Sequence, residues 1–212
     1  ANAGMKEQAI KVLWHALHLR DAQTGQEVAN TMTKYYLAWM YYNPKGEGRA
    51  ATCFKEAGKS SPDYCFPNRK EDAIVLELAK HLNPDGARAP YYLGCLYYDA
   101  RQYDLAIDNW ELAARLDPQY PTVWRNLALA RFNKQNRQQE ALEYMERAFH
   151  LNEDDERMLM ELDQLYRRLQ KPHEERLAFM QRYSNLVSRR DDLVLEEITL
   201  LNQTGRYEEA LH

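Results

Sequence analysis

The chain has little of what most chemistry requires. Its three cysteines, Cys53, Cys65 and Cys95, are odd in number and contain no C-x-x-C pair, which argues against a disulfide framework and against a zinc site. They read as idle or buried thiols of a reducing compartment. The eight glycines are scattered, so no phosphate-cradling loop is present. No stretch approaches the ~18 consecutive apolar residues that read as a membrane span, and the opening residues carry no signal-peptide pattern. A charge excess is missing too: 28 Lys and Arg stand against 32 Asp and Glu, for a net charge of −4. No window gathers bases without acids beside them, which argues against a nucleic-acid backbone or an anionic membrane surface as partner. These absences predict a cytoplasmic chain without membrane or nucleic-acid partners.

Catalytic sets are absent as well. His15 and His18 lie three apart without an H-E-x-x-H pattern or a third ligand at helical spacing, so they read as surface or interhelix histidines. The run Glu153-Asp154-Asp155-Glu156 lacks the alternating ligands and central glycine of a calcium loop and reads as a solvated corner favouring the next helix N-terminus. No nucleophile stands with a base and an orienting group. The expectation is a non-enzyme without cofactor or metal.

What is present is a period of about 34 residues. In residues 87–120, Leu93 and Gly94 are followed by Tyr97, Tyr98, Tyr103, Ala106, Trp110, Ala113, Leu116 and Pro118. Leu93, Gly94 and Tyr97 share one face of a first helix, and Ala106, Trp110 and Ala113 one face of a second. Gly94 and Ala106 are small where antiparallel helices cross, Trp110 fills the gap, and Pro118 ends the second helix. One such unit cannot bury its own apolar face, so neighbours must stack.

The same frame recurs from Thr31 as Leu37, Ala38, Tyr41, Ala50, Phe54, Ala57 and Pro62. From Pro121 it recurs as Trp124, Leu127, Ala128 and Phe132, then, after one inserted residue, Ala141, Met145, Ala148 and Leu151. From Glu156 it degenerates: Leu162 and Tyr166 fit, but Glu175 and Arg182 stand where small residues belong, which predicts looser or altered packing. Leu201, Gly205, Tyr207 and Ala210 return to register.

This pattern resembles the tetratricopeptide repeat, which implies an all-α, right-handed α-solenoid of helix pairs. The expected units are 31–64, a half unit 65–86, 87–120, 121–155, 156–190 and a truncated 191–212, in a single array over 5–212. Helix pairs are expected near 31–62, 88–117, 121–151 and 156–183, with a lone helix near 70–82. Ala1-Asn2-Ala3-Gly4 ahead of Met5 reads as a tag remnant, and 7–20 as the second helix of a unit whose first helix is missing. Both ends therefore read as cuts through a longer array.

The stretch SSPDYCFPNR, 60–69, interrupts the period. Pro67 admits a helix after it but not through it. The stretch reads as a degenerate connector in which Tyr64 and Phe66 plug the apolar face a missing helix would have covered; a docking loop is the alternative.

SPDYCFPNR, APYYLGCLYYD, PTVWRNLALARFNK and LMELDQLYRRL together resemble a bacterial family of long proteins in which a repeat array follows a β-rich region reminiscent of carbohydrate-active enzymes. The resemblance implies a sugar-related context for the parent protein and supplies no catalytic residue here.

In this repeat class the first helices line a concave wall. Transferring the frame places Tyr35, Tyr36, Trp39 and Tyr42 there, then Tyr91, Tyr92, Cys95, Tyr98 and Asp99. Arg125, Asn126, Leu129, Phe132 and Asn133 follow, then Arg157, Met160, Glu161, Gln164 and Arg168. The candidate binding residues are Tyr35, Tyr36, Trp39, Tyr42, Tyr91, Tyr92, Tyr98, Arg125, Asn126 and Phe132. Aromatic side chains of this kind suit peptide docking or stacking on sugar rings. The carboxylate clamp of some repeat proteins is matched in type by Asn126 and Arg157, but Tyr91, Cys95 and Glu161 depart from it. The functional expectation is a scaffold whose aromatic half, 31–133, holds a protein segment or another domain of the parent chain. Direct contact with carbohydrate is the alternative, and RNA-binding helical repeats are disfavoured by the acidic balance.

Overall fold

The computed structural model describes residues 3–20, 23, 30–62 and 65–211. Among them there is no β-strand, and the fold class is all-α, a helical-repeat solenoid. The chain divides into two compact units, Ala1–Pro118 and Gln119–His212. The first contains α1 (Ala3–His18), α2 (Thr31–Tyr41), α3 (Gly48–Ala57), α4 (Lys70–Leu82), α5 (Arg88–Asp99) and α6 (Tyr103–Leu116). The second contains α7 (Pro121–Gln135), α8 (Gln138–Leu151), α9 (Glu156–Arg168), α10 (His173–Arg182), α11 (Ser184–Val187), α12 (Asp191–Gln203) and a 3-10 turn at Glu209–Leu211.

Local chemistry sets the helix ends. The Asn30 side chain accepts the Thr33 N–H at 3.2 Å to start α2, and Asp155 accepts the Met158 N–H at 2.9 Å to start α9. Pro121 sits at the first position of α7, where its missing N–H costs nothing. Three turns inside helix pairs use a left-handed residue: Arg101 after α5 (φ 61°), Asn136 after α7 (φ 53°) and Gln170 after α9 (φ 58°). Gly205 (φ 77°) does the same after α12. After Arg101, Gln170 and Gly205 the next N–H reaches back five residues, Gln102 to Tyr97 O, Lys171 to Tyr166 O and Arg206 to Leu201 O, and after Asn136 the Arg137 N–H reaches back six to Arg131 O, which closes orphan carbonyls.

The cores confirm why small residues recur at the crossings. Ala38 and Ala50, Gly94 and Ala106, and Ala128 and Ala141 are all buried where their helices pair. In the first unit, Met32, Tyr35 and Phe54 join Val75, Leu76 and Ala79 of α4 and Tyr92 and Leu93 of α5 in one cluster. In the second, Met145 and Phe149 join Leu159, Leu162, Leu177, Met180 and Leu200.

The degenerate pair α9/α10 packs differently, as expected: its two helices approach each other at far fewer places than those of α2/α3, α5/α6 or α7/α8, and α10 lies more against α12. Its connecting turn, 169–172, is one residue longer than the turn 100–102 between α5 and α6. The extra residue moves Arg176, rather than Glu175, into the place that Ala106 holds in its own pair. Asp163 takes the place of Gly94. The two form a buried bidentate ion pair, Nε to Oδ1 at 2.9 Å and Nη2 to Oδ2 at 2.7 Å. Glu196 of α12 accepts a further bond from Arg176 at 2.6 Å and one from Arg167 at 3.1 Å. Burial pushes the Asp163 carboxyl upward against the opposing pull of Arg176, whose own pKa its two carboxylates raise.

The interrupting stretch departs from expectation. Phe66 is 76% exposed and plugs nothing, while Cys65 is 5% exposed and Pro67 is buried. Tyr64 lies outside the described residues. The plug is unnecessary because α4 packs directly on α2: Tyr36 Oη donates to Asp72 Oδ1 at 2.6 Å. The other oxygen of Asp72 accepts the N–H groups of Asn68 and Arg69, each at 2.9 Å. Thr31 Oγ1 holds the preceding strand of connector by donating to Ser61 O at 2.9 Å.

Candidate functional site

The candidate residues separate into core, framework and surface. Tyr35 and Tyr92, 1% and 0% exposed, are corrections: they meet edge to face at 6.0 Å inside the first core and offer no area to a ligand. The frame transfer placed adjacent tyrosines on one wall, but consecutive helical residues point about 100° apart. Core packing claims one of each pair, Tyr35 beside Tyr36 and Tyr92 beside Tyr91.

Tyr36 and Trp39 are half-buried and touch edge to face at 6.2 Å. Burial first, and then the bond to Asp72, pushes the Tyr36 hydroxyl pKa upward. Tyr42 is half-buried, and its carbonyl accepts a bond from Lys6 Nζ of α1 at 3.1 Å. Tyr91 is half-buried against Tyr92. Tyr98 packs on Trp110 at 5.3 Å and Tyr103 at 5.1 Å, which makes it a packing residue of the α5/α6 pair as much as a surface one.

In the second unit Arg125 forms a bidentate ion pair with Glu161 across α7 and α9, and Arg157 adds a bond to the same carboxylate at 3.2 Å. Asn126 accepts from Arg125 at 3.4 Å. Further along the same two helices is a cleft of about 210 Å³. Leu129, Phe132 and Asn133 of α7 line one side, Met160, Gln164, Leu165 and Arg168 of α9 the other, and Met145 of α8 contributes to the floor. The Arg168 guanidinium lies over the Phe132 ring, 5.5 Å from its centroid.

Thus Phe132 is brought together with α9, the helix expected to contribute little. Met145 and Leu165 were absent from the expected wall. Met145 holds the frame position of Trp110 and so reads as packing, whereas Leu165, four residues after Glu161, carries the same-face signal that would have found it. Among the described residues no group of three or more His, Cys, Asp or Glu is arranged to hold a metal, and no helix is long and apolar enough to cross a membrane.

Comparison with known proteins agrees with the fold. A TPR repeat family model matches residues 94–135. The crystal structure of MamA is similar at TM-score 0.54 and 16% identity, over 81% of this chain and 90% of that one. YrrB, a TPR protein with an unusual peptide-binding site, is similar at TM-score 0.53 and 18% identity, over 86% of this chain and 81% of that one. At these identities the likeness defines a fold class, the helical repeat of tetratricopeptide type.

Proposed function

We propose that this chain is a non-catalytic interaction scaffold that holds an extended protein segment on the exposed faces of its first helices. The observation that carries the reading is the cleft between α7 and α9, a recess with apolar walls edged by amide, carboxylate and guanidinium groups. The half-exposed Tyr36, Trp39, Tyr42 and Tyr91 are a separate candidate face on the first unit, with Tyr98 as its framework, while Arg125 and Asn126 serve as framework on the second. YrrB, of the same fold class, carries a peptide-binding site, which supports the assignment by analogy of fold. The segment would come from a separate protein or from another domain of the parent chain.

A second reading, direct contact with carbohydrate, is favoured by the half-exposed indole of Trp39 beside Tyr36. Titration calorimetry of the chain against peptide pools and against oligosaccharides separates the two. Peptide binding that weakens on Phe132→Ala, with no heat from sugars, supports the scaffold. Sugar binding that weakens on Trp39→Ala, with no peptide bound, overturns it.

A further inference from the structure

Resting on the scaffold reading, we propose that the α7/α9 cleft selects a peptide segment in which one large apolar side chain stands next to an aspartate or glutamate side chain. At about 210 Å³ the recess is smaller than the ~300–1,000 Å³ of small-molecule sites and matches a single inserted side chain. Its walls are Leu129, Phe132, Met160 and Leu165, with Met145 beneath. Two methionines let it accept Leu, Met or Phe by rotamer adjustment.

The charge at its rim has one sign to offer. Arg168 is exposed, lies over Phe132, and has no carboxylate within ion-pair distance among the described residues. Glu161, the acid lining the cleft, is already held by Arg125 and Arg157, so it does not compete for Arg168 or repel an incoming carboxylate. An acidic neighbour of the anchor would meet Arg168, while a lysine there would meet a like charge. The partner is a side-chain carboxylate. A clamp of several cations, of the kind that grips a chain terminus, is not available here, because Arg125 and Arg157 are engaged by Glu161.

Burying the anchor dominates, so its replacement by Ala weakens binding at least tenfold. A rim ion pair contributes up to about fivefold, and that part disappears in concentrated salt.

The test uses the full chain and two random peptide libraries, one C-amidated and one with free C-termini. The expected outcome is enrichment in both of Leu, Met or Phe beside Asp or Glu. Arg168→Glu, at an exposed position that leaves helicity unchanged, should turn the preference from acid to lysine. In ¹³C-methyl NMR the selected amidated peptide should shift the methionine signals assigned to Met145 and Met160. Enrichment without an acid, a preference untouched by Arg168→Glu, or binders found solely in the free-carboxylate library each overturn the inference. Peptides that bind while both methyl signals stay fixed overturn the cleft assignment and leave the scaffold standing. No enrichment in either library overturns both.

Discussion

The backbone of Gly94 lies directly beneath the indole of Trp110: a Cβ added to Gly94 would stand within 2.8 Å of Cδ1, Nε1 and Cε2. The indole cannot withdraw cheaply, because it is 3% exposed and its N–H donates to Tyr91 O at 3.2 Å. Glycine is therefore required here for close approach, not for backbone freedom. Gly94→Ala is expected to cost about 1–3 kcal/mol by urea unfolding, with partial recovery when Trp110→Leu is added. A neutral Gly94→Ala would mean that the indole is seated elsewhere.

At the equivalent crossing in the second unit, a charge pair replaces the small pair. Arg176→Met should destabilise by about 3–5 kcal/mol, because Asp163 then remains buried without a counter-charge. Adding Asp163→Leu should return the midpoint to within ~2 kcal/mol of the parent chain. A double-mutant cycle showing independent effects would remove the ion pair as the organising contact between α9 and α10.

The turns make a smaller, signed prediction. Gln170 is exposed and left-handed, so Gln170→Gly should stabilise by about 0.5–1 kcal/mol in thermal or urea unfolding. Gly205→Ala, at φ 77° in open space, should destabilise by about 1 kcal/mol. Opposite signs at these two sites are the observation that matters; equal signs would contradict the shared cap.

Alkaline pH should weaken both units. Tyr36 donates to Asp72 and Tyr166 to Glu146 (2.9 Å), and burial together with those carboxylates pushes both hydroxyls above the ordinary tyrosine value of about 10. Below pH ~10 folded and unfolded chains both keep the proton, and the contribution is full. Above it the unfolded chain loses the proton first, so stability falls as pH rises toward the folded values. Tyr36→Phe and Tyr166→Phe should each flatten the slope of unfolding midpoint against pH; an unchanged slope in both would locate the effect elsewhere.

Phe66 tests the interrupting stretch. Because its ring is exposed, Phe66→Ser should change stability by no more than ~0.5 kcal/mol. Asp72→Ala should cost about 1–3 kcal/mol, since Tyr36 and two backbone N–H groups lose their acceptor. A large loss from Phe66→Ser would restore the plug.

The helix pairs were legible because the repeat is a local code: a small residue, a large one and a terminating corner at fixed offsets within one unit. Leu93, Gly94, Ala106 and Trp110 carry it together, and each is buried as that code requires. The candidate surface was less legible because facing is decided by neighbours. Tyr35 meets Phe54 at 6.1 Å and Tyr92 at 6.0 Å, contacts between residues far apart in sequence, and is thereby removed from the surface while Tyr36 is kept near it. The one local signal is spacing: Tyr35 stands three residues before Ala38, on the face that the repeat buries, and Tyr36 does not.

The amino-acid sequence by itself determined that this chain is helical, that its helices pair at a spacing of about 34 residues, and that the segment around Pro67 breaks the spacing. Those properties depend on periodicity and on proline, which act within a few residues of where they stand. Tertiary structure decided that Asp163 and Arg176 occupy a crossing built elsewhere for glycine and alanine, that Cys65 rather than Phe66 turns inward, and that Phe132 and Arg168 share one cleft. Each depends on a partner from another helix, and a single added residue in the turn at 169–172 is enough to exchange which side chain is presented. Burial then fixes the outcome, because a buried charge must find its counter-charge whereas an exposed ring needs no partner.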